Sequence, residues 1–316
     1  MSTATALPLG TAVRVNVPAS SANLGPGFDA IGLALGVWDS YDVVVEGSGL
    51  AIDVTGEGAQ EVPRDRSHLV YRCLALGLGR LGLQVPPGLR LVCRNGVPHS
   101  RGLGSSATAA VAGYAAASAL FNVALSGEVG IDLDLVNELA ADHEGHPDNS
   151  SASVFGGMTL SWSERPPAVT PVRTVQVVVH PDIVPVVLVP GTTLATAAAR
   201  AALPQDVPLK HAALNSARAA LLVEAMSRRP ELLLPATVEW LHQEPRRLAY
   251  PDSMRLVDWL RSLGHAAVVS GAGPSVLVLS TTDRAAEVQA LAMPDGWRVL
   301  VPGIPTVGVS AVRLDG

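Results

Sequence analysis

Residues 97–108 read Val-Pro-His-Ser-Arg-Gly-Leu-Gly-Ser-Ser-Ala-Thr, a glycine and serine loop that runs straight into an alanine-rich helical stretch. Gly102 and Gly104 lack a Cβ, so the backbone there can approach a ligand closely and take positive φ. A helix that begins near Ser105 leaves its first N–H groups unpaired and aimed at the loop. Those donors and the positive end of the helix dipole favour an anion, phosphate above all. Ser105 and Ser106 add hydroxyls suited to a phosphate oxygen or to hydrated Mg²⁺. No Lys-Ser/Thr follows the second glycine, so this is not a Walker A loop. The same residues also read as a turn with a serine N-cap, and spacing alone leaves both readings open.

Three further segments carry chemistry-bearing residues. Residues 17–29, Val-Pro-Ala-Ser-Ser-Ala-Asn-Leu-Gly-Pro-Gly-Phe-Asp, describe a tight path that presents Asn23 and Asp29, or else an Asx turn and a helix cap. Glu144-Gly-His-Pro-Asp-Asn149 supplies His146 and Asn149. Ser270-Gly-Ala-Gly-Pro-Ser275 is a second glycine turn, whose amides suit another anion. His143 and His146 lack the H-E-x-x-H spacing and a third ligand, so zinc is not expected there.

These segments need elements to position them. The 316 residues are 48% hydrophobic and 16% charged, enough for a sizeable core in about two domains. The net charge of −6 argues against nucleic acid or an anionic membrane as the partner. Two cysteines without a CxxC pair, Cys73 and Cys93, read as buried thiols in a reduced, cytoplasmic protein. Residues 1–10 show no basic and apolar leader pattern. Residues 107–125 are the one stretch apolar enough to span a membrane, but their small and polar residues read better as a buried helix.

Alternating Val13, Val15 and Val17 predict a strand, followed by a turn-rich stretch over 18–28. Strands are expected over 41–46, 50–54, 89–94 and 157–162, and helices over 67–81 and 132–144, besides the one after the loop. A proline-rich stretch over 163–171 places a boundary there, giving domains 1–165 and 166–316. Beyond it, strands are expected over 172–179, 184–189, 265–269, 276–280, 297–301 and 306–314. Helices are expected over 192–203, 209–229 and 282–291. The mixed order indicates an α+β protein.

The chain resembles the homoserine kinases of the galactokinase, homoserine kinase, mevalonate kinase and phosphomevalonate kinase (GHMP) family over nearly its whole length. Pro98, His99, Ser100, Arg101, Gly102, Leu103, Gly104, Ser105, Ser106 and Ala107 resemble the family's ATP loop. Gly271 and Gly273 resemble its C-terminal glycine motif. The segments 21–29 and 144–149 resemble homoserine kinases in particular. The resemblance implies a two-domain GHMP kinase fold. Its N-terminal domain would be like ribosomal protein S5 domain 2 with a left-handed βαβ crossover, its C-terminal domain ferredoxin-like, and the site would lie between them. It implies phosphorylation of L-homoserine by ATP, a step toward threonine, and a homodimer.

By the same resemblance, Ser106 and Glu138 would hold Mg²⁺, Glu138 projecting from the polar side of its helix. Asp29 would pair the substrate ammonium. Arg200, with Thr196 in the same segment, and Arg247 would clamp the carboxylate. Arg246 takes the place of the family's tyrosine, which leaves two adjacent arginines for one role. Asn23 would lie near the reacting hydroxyl, with His146 and Asn149 beside it. No segment supplies the aspartate base of mevalonate kinase-like members, so catalysis without a strong side-chain base is expected. His68 stands where the family often has asparagine, near the adenine pocket. A GHMP kinase of another small hydroxylated carboxylate and a non-catalytic nucleotide binder are the rival readings.

Overall fold

The computed structural model describes residues 7–314. Most of the stretch read for a leader, residues 1–6, lies outside them, as do residues 315 and 316. The first unit holds β1 (Ala12–Ala22), β2 (Ile31–Glu46), β3 (Gly49–Gly56), α1 (Leu69–Arg80), β4 (Gly88–Asn95), α2 (Ser105–Ser126), α3 (Leu133–Glu144), α4 (Asp148–Phe155), β5 (Met158–Ser163) and β6 (Val172–Val177). Val13, Val15 and Val17 are fully buried on one face of β1, as their alternation requires. The strand runs five residues past the expected end. Its pairing with β2 shifts register between Pro18 and Ala19, which lets the ladder pass a residue with no N–H to give. β3 and β4 pair in parallel, with α1 as the crossover.

The alanines of α2 let it sit deep in the core. A Cβ on Gly113 would lie 2.5 Å from the Val70 carbonyl oxygen of α1, so only glycine permits that approach. This is the one described helix long and apolar enough to cross a membrane, and 72% of its most apolar stretch is buried inside the protein. A helix apolar all round belongs in a core as readily as in a bilayer.

The second unit holds β7 (Ile183–Val189), α5 (Thr196–Ala201), α6 (Leu209–Ser227), α7 (Leu233–Ala236), α8 (Pro251–Ser262), β8 (Ala266–Val269), β9 (Val276–Thr281), α9 (Thr282–Ala290) and β10 (Arg298–Leu300), and β11 (Ser310–Arg313) follows it in the chain. Its antiparallel sheet has the order β10-β7-β9-β8, the ferredoxin-like arrangement.

The two sheets do not divide the chain at 165/166. β6 is paired to β5 in the first sheet, and β11 returns to pair with β1. The proline-rich stretch is the connection inside a β5–β6 hairpin, so its turn residues mark a reversal rather than a domain boundary. One apolar cluster joins the units, with Leu24, Leu33, Leu103 and Met158 packed with Val187, Leu222 and Val268. The loop before α2 and the turn before β9 are thereby held against each other.

Candidate active site

The phosphate-type loop connects β4 to α2, and its backbone is left-handed at Ser100, Gly102 and Gly104 (φ 54°, 73° and 72°). Gly104, not a serine, is the N-cap of α2, and no side chain caps the helix. The first amides of α2 therefore keep their donors free for a ligand. A Cβ on Gly104 would lie 2.3 Å from Ser20 Oγ, and one on Gly102 would lie 2.3 Å from the Ser270 carbonyl oxygen.

The second glycine turn is fastened to this loop. Ser270 Oγ donates to the Gly102 carbonyl (2.6 Å), and the Gly271 N–H donates to the Ala22 carbonyl (3.1 Å). Gly271 lines the cleft, while Gly273 packs behind it, where a Cβ would lie 2.8 Å from the Tyr250 ring. Within the loop, Pro98, Leu103 and Ala107 are buried beneath the backbone and do not line the cleft. Arg101 turns away, donating to the carbonyls of His99, Pro190 and Gly191. These four side chains shape the loop, and its ligand-facing groups are Ser100, Gly102, Gly104, Ser105 and Ser106.

Ser106 Oγ donates to Glu144 Oε1 at 2.7 Å. This corrects the expected pair. Glu138 does not line the cleft; with Asp134 it is on the side of α3 that faces Arg173. Six residues along a helix turn a side chain by about 240°, so Glu138 and Glu144 cannot serve the same point. The hydroxyl and carboxylate of Ser106 and Glu144 are hard oxygen donors beside the anion-seeking end of α2, a set that fits a divalent cation such as Mg²⁺.

The rest of the cleft is lined by Asn23, Phe28, Asp29, His146, Asp148, Asn149, Leu194, Thr196, Arg200 and Arg246. Asn23, Leu24 and Asp29 have positive φ (70°, 47° and 55°), a costly state for residues with a Cβ. Asn23 holds the turn in place. Its Oδ1 accepts from the Asp29 N–H (3.0 Å) and its Nδ2 donates to the Gly271 carbonyl (3.1 Å). The Asp29 carboxylate takes a two-point bond from Arg200, at 2.7 and 3.3 Å.

The second guanidinium is Arg246, not Arg247. Arg247 lies outside the cleft, held at the surface by Glu244 (2.5 Å) and Asp258 (2.8 Å). Arg246 is only 2% exposed, and its Nε donates to the Ala199 carbonyl at 2.9 Å. Its guanidinium lies over the Phe28 ring, 5.6 Å from the centroid. Among the described residues no carboxylate pairs with it, and burial pushes its pKa down. A buried cation without a counter-ion is the group most in need of an anionic ligand.

His146 Nδ1 lies 2.7 Å from Asp148 Oδ1. Burial alone lowers a histidine pKa, but the bond to Asp148 and the charges of Asp148 and Asp29 outweigh it, so His146 is raised above 6.5. Its stabilising contribution is therefore complete below the unfolded value and lost as pH rises through the folded one. In an NMR titration of the metal-free protein, the His146 ring is expected to titrate above 6.5, and Asp148→Asn to bring it down. A midpoint at or below the ordinary value in the unaltered protein would contradict this.

The family models named GHMP kinases N terminal domain and GHMP kinases C terminal match residues 68–157 and 211–298. The homoserine kinase of Streptomyces coelicolor is 51% identical over 303 residues, 96% of this chain and 95% of that protein. That of Rhodococcus erythropolis is 50% identical over 298 residues, 93% of this chain and 94% of that protein. This chain belongs to the homoserine kinases of the GHMP kinase family. The crystal structure of homoserine kinase from Cytophaga hutchinsonii shares its fold, with a TM-score of 0.79 at 23% identity over 95% of this chain and 97% of that one. The phosphomevalonate kinase of Streptococcus pneumoniae shares it more distantly, at 0.61 and 15% identity over 97% of this chain and 100% of that one.

This GHMP kinase has a second cavity on the other side of its phosphate loop. It shares Ser100, Ser105 and Ser106 with the cleft and is further lined by Tyr41, Val62, His68, Leu69, Asn95 and His99. His68 Nδ1 and Asn95 Oδ1 are buried there without hydrogen-bond partners. The serines after Asn149 do not reach the cleft. Ser151 bonds to Asn137 on α3, and Ser153 to Ser20 on β1, so their polarity fastens α4 to its neighbours.

Proposed function

We propose that this chain transfers the γ-phosphoryl group of ATP to the side-chain hydroxyl of L-homoserine, giving ADP and O-phospho-L-homoserine on the route to threonine. One observation carries the reading. Asp29, Arg200 and Arg246 face a single cleft whose far wall is the phosphate loop. An amino acid brings an ammonium and a carboxylate at fixed separation. Asp29 answers the first and a pair of guanidinium forks the second. Since Asp29 and Arg200 now hold each other, the substrate enters by exchange, its ammonium replacing Arg200 at Asp29 and its carboxylate replacing Asp29 at Arg200.

Phosphoryl transfer asks for positioning and charge neutralisation more than covalent chemistry. The amides of the loop and of the first turn of α2 bind phosphate oxygens, and the base of the nucleotide occupies the second cavity beside His68 and Asn95. Ser106 and Glu144 would hold Mg²⁺, which when bound offsets the negative charge of the phosphates. Asn23 positions the Asp29 turn, with both ends of its amide already committed. Thr196, His146 and Asn149 complete the wall around the substrate. Asp29 is engaged by the ammonium, Glu144 by the metal, and Asp148 by His146 and the Asn149 N–H, so the hydroxyl proton passes to a phosphate oxygen rather than to a dedicated carboxylate base.

The chain acts in the cytoplasm, which its two buried free thiols fit. It acts as a homodimer without nucleic acid or membrane, which the net charge of −6 and the exposed Trp162 and Val175 of the β5–β6 hairpin fit. The test is ³¹P NMR of the products from MgATP and L-homoserine. A new phosphomonoester signal equal to the ADP formed is expected, and ADP with inorganic phosphate alone would refute the transfer.

A further inference from the structure

We propose that His242 is a positioning residue, which as the Nε2–H tautomer holds the Arg246 guanidinium in the orientation that meets the substrate carboxylate. The proposal rests on the reading of the cleft given above. His242 sits in the turn between α7 and α8 and has no exposed surface. Its Nε2 lies 2.8 Å from the Gly25 carbonyl oxygen. A carbonyl only accepts, so Nε2 carries the hydrogen and Nδ1 keeps its lone pair. Arg246 Nη1, which only donates, faces that lone pair at 3.4 Å. The imidazole also stacks on Phe28, with centroids 5.2 Å apart and planes at 21°, the same ring that lies under Arg246.

The chemistry explains why an imidazole stands there. A carboxylate at this place would orient Arg246 equally well but would cancel the charge that the ligand needs. A neutral acceptor fixes the guanidinium and leaves its charge unanswered. Glu239 does not fill that role. Its carboxylate accepts the N–H groups of Leu241, His242 and Gln243 at 2.6, 2.9 and 2.9 Å and so caps the turn that carries both residues. Burial pushes the His242 pKa down, against the pull of Glu239, which keeps the ring in the uncharged form.

Two substitutions separate this role from a purely structural one. His242→Asn keeps an acceptor where Nδ1 stood but loses the donor to Gly25. His242→Gln keeps a donor toward Gly25 but loses the acceptor for Arg246. His242→Gln is expected to raise KM for L-homoserine by about ten-fold or more, with kcat and KM for ATP within about two-fold, and His242→Asn to recover most of that loss. With 3-aminopropan-1-ol, which lacks the carboxylate, the two variants and the unaltered enzyme should agree in kcat/KM. A smaller rise for His242→Gln, an Asn variant as impaired as the Gln variant, or equal losses on 3-aminopropan-1-ol would overturn the proposal. A ¹⁵N spectrum of the unaltered protein adds a readout independent of folding of the variants, because an Nδ1–H tautomer would also overturn it. Failure of the cleft reading itself looks different: Arg246→Met would then leave KM for L-homoserine unchanged.

Discussion

Glu144→Gln is expected to lower kcat by about 10²–10³-fold, the usual cost of losing one group that stabilises transition-state charge. Glu138→Gln should stay within about two-fold of the unaltered enzyme on the same scale. The difference follows from one hydrogen bond, Ser106 Oγ to Glu144 Oε1 at 2.7 Å. The amide of glutamine still accepts that bond but carries no charge to hold a divalent cation against the phosphates. Steady-state kinetics at several Mg²⁺ concentrations check the assignment. Loss in Glu144→Gln should come with a higher Mg²⁺ concentration for half-maximal rate, and loss in Glu138→Gln instead would return the metal to the residue expected from the sequence.

Arg246→Met is expected to raise KM for L-homoserine by at least about thirty-fold, since truncating one partner of a buried, hydrogen-bonded charge pair costs about 2–5 kcal/mol. Methionine keeps much of the buried volume, so the loss reports the charge rather than a cavity. Arg247→Ala should change KM and kcat by less than about two-fold, because its exposed pairs with Glu244 and Asp258 are worth at most about 1 kcal/mol to stability. Substrate-saturation kinetics of the two variants side by side decide between the neighbours. A large effect at Arg247 with none at Arg246 would invert the account of the cleft.

Much of the site could be read from local pattern. Gly102 and Gly104 announce a backbone that must approach something, and the structure uses both in left-handed geometry against Ser270 and Ser20. The period-two valines placed β1, whereas Asp29, whose local pattern reads equally as an Asx turn, was directed to the cleft by the family resemblance. Which side chain of a pair faces inward was not legible. Glu138 and Glu144 share one helix, and Arg246 and Arg247 share one turn. For the glutamates the answer depends on which phase of α3 meets Ser106, and for the arginines on packing against Phe28 and Ala199, all of them far off in sequence. The domain boundary failed for a related reason. Prolines over 163–171 mark a reversal, and only long-range pairing tells a hairpin from a linker. His242 had no local signal at all, because its role depends on contacts to Gly25 and Phe28.

In the proposed reaction the cleft recognises a hydroxylated amino acid by both of its charges. The most direct measurement is ADP release with MgATP and L-homoserine, beside D-homoserine, L-threonine, L-serine, 3-aminopropan-1-ol, 4-hydroxybutyrate, mevalonate and galactose. Rapid turnover of L-homoserine is predicted, with kcat/KM lower by at least about 10²-fold for each analogue that lacks one charge, since a site built for a polar group rejects the analogue without it. Comparable turnover of 4-hydroxybutyrate or 3-aminopropan-1-ol, or none of L-homoserine by folded protein that binds ATP, would contradict it.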